Sequence, residues 1–108
     1  MNLVKFYVPT KNSTGDKLDQ LTVDYILDMV LENFLDFSTG GTIFEGEGFW
    51  KSEDGTVIRE KVYRVETLCE DYPPIADLDI LASVVKRLAN QEAVLYTVEY
   101  GDAIMKFA

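Results

Sequence analysis

The chain has no histidine and only one cysteine, Cys69, among its 108 residues. A nucleophilic triad needs a base beside the nucleophile, most often histidine, and a structural zinc site needs a cluster of cysteine or histidine ligands. A single cysteine also excludes a disulfide within the chain. These absences argue against triad hydrolases, zinc modules and disulfide scaffolds, and we expect neither a cofactor nor a bound metal. We expect Cys69 to be a small core residue.

Basic residues are also scarce, since ten lysines and arginines stand against nineteen acids, for a formal net charge of −9. Proteins bind nucleic acid, and also anionic membranes, by placing Lys and Arg against phosphates. We therefore expect neither nucleic acid nor a membrane as a direct partner. A charged protein partner is expected to be basic.

Long apolar runs are missing as well. No stretch approaches the roughly 20 apolar residues of a membrane-spanning helix, and the N-terminus lacks the apolar segment of a signal peptide. We therefore expect a cytoplasmic protein. The length predicts a single domain over residues 1–108, and a hydrophobic content of 47% is sufficient for a core.

The clearest pattern that is present is a β-hairpin over Gly40–Leu68. Asp54-Gly55 is a typical two-residue signal for a type I′ turn, which needs positive φ at both central residues. This turn predicts a register in which Trp50 lies opposite Arg59. Gly46 and Gly48 then mark a bulge or lie under a facing aromatic side chain, and a ligand lying over them is the alternative.

Apolar periodicity predicts the other elements. They are a strand over 2–8, helices over 19–38 and 76–89, a strand over 92–100 and a short final strand over 103–107. The order β-α-β-β-α-β, with an extra C-terminal strand, predicts the ferredoxin-like α+β fold, an antiparallel sheet with two helices on one face. The other face is predicted to be apolar, so we expect a homodimer that covers it. Its expected members are Leu3, Tyr7, Ile43, Phe49 and Val62.

The first helix carries a carboxylate at every fourth residue. These four residues, the acidic ridge, are Asp24, Asp28, Glu32 and Asp36. Like charges four residues apart repel by roughly a few tenths of a kcal/mol per pair. The ridge is either a solvated helix face or a surface that docks into a basic groove.

The hairpin supplies four further candidates for partner binding, which are Glu45, Glu47, Phe49 and Trp50. Trp50 is either an edge of the core or an interface anchor. Glu45 and Glu47, with Glu60 nearby, are the only candidates for acid–base chemistry or a Mg²⁺ site. Their alternative is surface pairing with the bases of the hairpin, Arg59, Lys61 and Arg64, in which Glu45 meets Arg64.

One set of hairpin residues carries a family resemblance. These residues are Gly40-Gly41-Thr42, Gly48-x-Trp50, Gly55 and Arg59-Glu60. The hairpin resembles that of a set of small uncharacterised bacterial proteins that consist of a single ferredoxin-like domain. The resemblance implies the fold and implies no activity, catalytic residue or cofactor.

The sequence favours a non-catalytic protein-binding module that self-associates and presents the acidic ridge or the hairpin tip to a partner. One alternative is an acidic decoy that inhibits a nucleic-acid enzyme, of the anti-CRISPR kind that phages and plasmids encode. The second alternative is a small-molecule-binding protein or a cofactor-free enzyme of the dimeric α+β barrel type. It would use an apolar pocket between the sheet and the helices, lined by Tyr7, Trp50, Tyr63 and Tyr96. A pocket of about 300–1,000 Å³ with converging polar groups would favour the second alternative.

Overall fold

The computed structural model describes residues 1–101. The elements are β1 (Asn2–Pro9), α1 (Gln20–Leu35), β2 (Gly41–Lys51), β3 (Val57–Cys69), α2 (Ile75–Leu88) and β4 (Tyr96–Glu99). Neighbouring strands are antiparallel, in the order β2-β3-β1-β4. This arrangement confirms the ferredoxin-like α+β fold. The predicted final strand over 103–107 lies outside the described residues.

Strand side chains alternate between two faces, and helix side chains on one face recur every three or four residues. Each element therefore has one apolar face, and these faces pack together to form the core between the two helices and one side of the sheet. The largest fully buried side chains are Val4, Phe6, Val8, Ile26, Val30, Val65, Leu78 and Val85. Phe6 stands edge-on to Phe34 with ring centroids 6.4 Å apart, and it stacks on Tyr96 at 6.3 Å. Cys69 is a buried free thiol, as predicted, and burial together with the nearby Asp71 charge raises its pKa.

Local hydrogen bonds explain where α1 begins and ends. The side chain of Asp19 accepts the backbone N–H of Leu21 and caps α1. The helix ends at Leu35 rather than Ser38, because the N–H groups of the next two residues bond to carbonyls three residues back and tighten the last turn. None of the described helices is long and apolar enough to cross a bilayer.

The register of the β2–β3 hairpin differs from the predicted one by a single residue. Trp50 pairs with Ile58 instead of Arg59. Gly55 has a φ of +88°, whereas Asp54 has a negative φ, so the turn is not type I′. The side chain of Asp54 accepts the N–H of Thr56 at 2.9 Å and the hydroxyl of Ser52, which stabilises a three-residue loop instead.

A one-residue shift exchanges the two faces of β2. Ile43, Glu45, Glu47 and Phe49 therefore lie on the helix side of the sheet, and the glycines and Trp50 lie on the open face. Of the five apolar side chains predicted on the open face, Ile43 and Phe49 are not there. Pairing is continuous along β2, so the prediction of a bulge at the glycines is wrong. Gly46 is also uncovered, since a Cβ there would have no neighbour within 4 Å.

Candidate functional site

The open face of the sheet contains a mostly apolar cleft of about 500 Å³. Tyr7 of β1, Glu60 and Val62 of β3 and Trp50 of β2 line it, together with the segment 91–95 that leads into β4. These strand residues share one face because of the antiparallel register of β1, β2 and β3. The volume is that of a pocket for a small organic ligand, which typically measures about 300–1,000 Å³.

Gly48 keeps the cleft open. It pairs with Glu60 across the ladder, and a Cβ added to it would lie 3.1 Å from the Cγ1 atom of Val62. Glycine therefore leaves bare backbone between Val62 and Trp50, where a side chain would occupy part of the cleft.

Glu60 is the buried charged group of this site, with only 8% of its surface exposed. Its Oε2 atom accepts the backbone N–H of Thr10 at 3.1 Å and of Lys11 at 2.9 Å. Within residues 1–101, no hydrogen bond reaches the Oε1 atom. Burial raises the pKa of Glu60, and the two N–H groups and the Lys11 charge oppose that rise.

The loop after β1 holds this carboxylate in place. The hydroxyl of Thr10 donates to the carbonyl of Lys61, and Lys11 Nζ donates to the carbonyl of Arg59 at 2.8 Å. Both contacts flank Glu60 along β3. The carboxylate is therefore fixed by neighbours on two sides, with one oxygen committed to the loop and the other available to a ligand.

A fixed carboxylate beside aromatic rings in an apolar cleft is suited to an organic cation. Aromatic faces attract cations through their quadrupole, and an opposite charge acts more strongly where water is excluded. Tyr7 and Trp50 supply the rings. In the described part of the chain, no three His, Cys, Asp or Glu side chains are grouped so as to hold a metal.

The sequence-predicted site residues fall into two separate places. The four ridge residues are exposed, and none of them takes part in the ion pairs between described residues. Trp50 lines the cleft on the opposite face of the sheet, so the structure does not bring it together with the ridge.

Two acids on the helix side of the hairpin pair with its bases. Glu45 contacts Lys61 at 3.2 Å, and Glu47 contacts Arg59. The predicted pair of Glu45 with Arg64 is wrong, because the register shift places these side chains on opposite faces. The guanidinium of Arg64 instead lies 4.6 Å from the ring centre of Phe44, and its Nε lies 2.7 Å from Glu66.

The cleft does not lie between the sheet and the helices, where the sequence predicts a pocket, but it shares two of the predicted lining residues. Tyr7 and Trp50 line the cleft, whereas Tyr63 and Tyr96 lie on the helix side of the sheet. Tyr96 donates its hydroxyl to Asp79, and this hydrogen bond, with some desolvation, raises the pKa of Tyr96 to about 12. The buried role of Glu60 was missed, although its position between Ile58 and Val62 on one strand face was a usable signal.

Comparison with protein-family models and with curated proteins gives no match. Among solved structures, a phage SAM lyase in complex with S-methyl-5′-thioadenosine has a TM-score of 0.67 and 12% identity, over 91% of this chain and 79% of that chain. The periplasmic divalent cation tolerance protein CutA from Archaeoglobus fulgidus has a TM-score of 0.54 and 18% identity, over 97% and 87%. A DUF3240 family protein from Shewanella baltica OS155 has a TM-score of 0.50 and 13% identity, over 97% of each chain. At these identities the similarity establishes the fold class alone, which is α+β of the ferredoxin-like type.

Proposed function

We propose that the chain binds S-adenosylmethionine in the open-face cleft and splits it to S-methyl-5′-thioadenosine. The observation that carries this proposal is the buried carboxylate of Glu60, which lines the same apolar cleft of about 500 Å³ as Tyr7 and Trp50. The similarity in fold to a SAM lyase supports the same ligand class. We place the protein in the cytoplasm, where the free thiol of Cys69 stays reduced.

The two chemical features of the ligand match the two features of the cleft. Adenine is a flat ring, and stacking of a base on an aromatic side chain contributes about 1–3 kcal/mol. The sulfonium is a permanent cation, and an ionised Glu60 neutralises it without a bulk counterion. The thioether product is neutral, so its binding lacks the attraction to the Glu60 carboxylate.

The reaction needs no proton donor or base from the protein. The product keeps the sulfur, its methyl group and the adenosyl group, so the bond that breaks joins sulfur to the methionine chain. The electron pair of that bond moves to sulfur, and the sulfonium becomes neutral. In the proposed step an oxygen of the substrate's own carboxylate bonds to the released carbon and closes a lactone, so neither water nor a base is consumed. An apolar cleft favours such a loss of charge.

Isothermal titration with S-adenosylmethionine and with S-methyl-5′-thioadenosine tests this proposal. We expect the wild-type chain to bind both compounds. Glu60→Gln should lose at least about tenfold in affinity for the sulfonium, since about 1.4 kcal/mol is a factor of ten, and little for the thioether. Glu66→Gln, which changes another carboxylate on the open face of β3, is the matched control. Absence of binding by the wild type, or equal affinities in the two variants, would contradict the proposal.

Protein binding through the outer face of α1 is a second candidate function, in line with a module that presents the acidic ridge. Three large apolar side chains are exposed on this helix, Leu21 by 76%, Tyr25 by 61% and Leu35 by 57%. At 3.6 residues per turn they fall within the same arc of about 120° as the ridge. Exposed carboxylates mixed with exposed apolar groups favour a basic protein partner, such as the nucleic-acid enzyme that an acidic decoy inhibits.

Affinity capture from lysate at low and at high salt tests this second function. We expect a basic protein that is held at low salt, released at high salt and lost in the variant Asp28→Lys with Glu32→Lys. Glu70→Lys with Asp71→Lys makes the same change in net charge at exposed acids outside α1 and should retain the partner. Capture that survives reversal of the ridge would exclude this surface.

A further inference from the structure

We infer that the outer face of α1 in one copy of this chain docks on the helix-side surface of the β2–β3 hairpin in a second copy. The inference rests on the second proposed function, in which the outer face of α1 binds protein, and it names the partner. The result is a head-to-tail assembly, because the two contacting surfaces differ.

The helix-side surface of the β2–β3 hairpin carries exposed apolar side chains among charged ones. The residues of β2 are exposed or half-buried along the whole strand, and the molecule is elongated, with dimensions of 45 × 25 × 22 Å. Phe49 is 79% exposed there, and Val57 is 57% exposed. The one-residue register shift is what places these side chains on the helix side rather than on the open face.

The same surface concentrates the bases of an acidic chain. Half of the ten lysines and arginines lie on it or beside it, and these are Lys11, Lys17, Lys51, Arg59 and Lys61. Four of them line a hollow of about 600 Å³, together with Glu45 and Glu47. Within this hollow the four bases outnumber the three acids, although Glu45 and Glu47 already pair with Lys61 and Arg59.

The spacing of the carboxylates in the acidic ridge also matches the spacing of the bases on the hairpin. Carboxylates four residues apart on a helix recur about every 6 Å along its axis, at 1.5 Å per residue. Arg59 and Lys61 are two residues apart on one strand face, about 6.6 Å at 3.3 Å per residue. A helix laid along the strand therefore brings successive ridge carboxylates over successive bases. Leu21 and Tyr25 then meet the exposed apolar groups of the hairpin.

A charge-swap experiment tests the inference by light scattering after size exclusion at low salt. The ridge variant carries Asp28→Lys and Glu32→Lys, and the hairpin variant carries Arg59→Glu and Lys61→Glu. We expect the wild type to be larger than one chain and each variant alone to be a single chain. An equimolar mixture of the two variants should associate, and one chain carrying all four changes should associate with itself. The control Glu70→Lys with Asp71→Lys should behave as the wild type.

Several results would overturn the inference. They are a wild type that is a single chain, an assembly that both variants retain, or swapped charges that fail to restore association. Circular dichroism shows whether each variant is folded. If the hairpin variant with Arg59→Glu and Lys61→Glu is unfolded, the milder variant with Arg59→Gln and Lys61→Gln takes its place. A ridge variant that loses a captured basic protein, in a chain that does not self-associate, would leave the second proposed function standing while this inference falls.

Discussion

Gly48 lies directly opposite Glu60 across the β2–β3 ladder. Glycine places no side chain beside the buried carboxylate, so the cleft extends over bare strand backbone to reach it. The register of the hairpin produces this pairing, and the loop after β1 then fixes the carboxylate through the N–H groups of Thr10 and Lys11. The shape of the cleft and the position of its charge thus depend on one pair of residues.

Adding a methyl group at Gly46 and at Gly48 of β2 should separate the effect on ligand binding from the effect on stability. Gly48→Ala places a Cβ 3.1 Å from Val62 inside the cleft, so we expect about a tenfold loss of affinity for S-adenosylmethionine, roughly 1.4 kcal/mol, in a folded chain. Gly46→Ala meets nothing within 4 Å and should keep its affinity. It should also raise the free energy of unfolding by about 0.5–1 kcal/mol, because glycine weakens a strand. Calorimetric titration and thermal unfolding check both variants, and equal affinities would contradict the role of Gly48.

Trp50 should contribute to binding of both compounds. Trp50→Ala removes a ring on which adenine stacks, so affinity for the sulfonium and for the thioether should fall about five- to 150-fold, from about 1–3 kcal/mol of stacking. Phe44→Ala removes another aromatic side chain of β2 on the open face and serves as the control. Titration calorimetry, in which one compound displaces the other from the chain, measures the affinity of each variant for both compounds. A Trp50→Ala chain that binds as tightly as the control would show that the ring is not part of the site.

The raised pKa of Glu60 predicts opposite pH dependences for the stability of the chain and for its affinity for the sulfonium. A carboxyl whose pKa is higher in the folded chain binds more protons when folded, so its contribution to stability is lost as pH rises above its ordinary value of 4.5. We therefore expect the unfolding temperature of the wild type to fall relative to Glu60→Gln between pH 4 and pH 8. Affinity for the sulfonium should instead rise over this range as Glu60 ionises, while affinity for the thioether stays level. Parallel unfolding curves for the two proteins would contradict the burial of this charge.

Asp54 should stabilise the hairpin loop down to strongly acidic pH. Hydrogen bonds from the Ser52 hydroxyl and the Thr56 N–H lower the pKa of Asp54 from 3.8 to about 2. A lowered pKa means that its stabilising contribution is present above 3.8 and is lost as pH falls towards 2. The amide signal of Thr56 in NMR spectra should therefore move with a midpoint near 2, and Asp54→Ala should abolish that step. A midpoint at the ordinary value would show that the loop is not closed by this side chain.

The helices and the central strands were predictable because local patterns determine them. Alternation of Val4, Phe6 and Val8 in β1 and the periodic stripe of α1 each give the correct buried face, and Asp19 marks the start of α1. The hairpin register was not predictable from Asp54-Gly55 alone, since this pair fits loops of two or three residues. The hydrogen bonds of the Asp54 side chain decide between them.

The site was harder to predict than the fold. Trp50 and Tyr7 were identified as pocket residues, whereas Glu60 appeared only as a neighbour of the surface acids. Its burial comes from backbone groups about fifty positions earlier in the chain, Thr10 and Lys11, and no spacing in the sequence reveals that contact. Sequence patterns report periodic faces well, but they do not report a polar group satisfied by a distant loop.

Titration of the isotope-labelled chain with S-methyl-5′-thioadenosine, followed by two-dimensional NMR, tests the central claim most directly. The cleft contains the only tryptophan of the chain, so its indole N–H gives one assignable signal at the site. We predict saturable shifts of the Trp50 indole and of the Thr10 and Lys11 amides, with the amides of α1 unchanged. A spectrum in which the Trp50 indole does not move, or in which the shifts fall on α1, would contradict ligand binding in the open-face cleft.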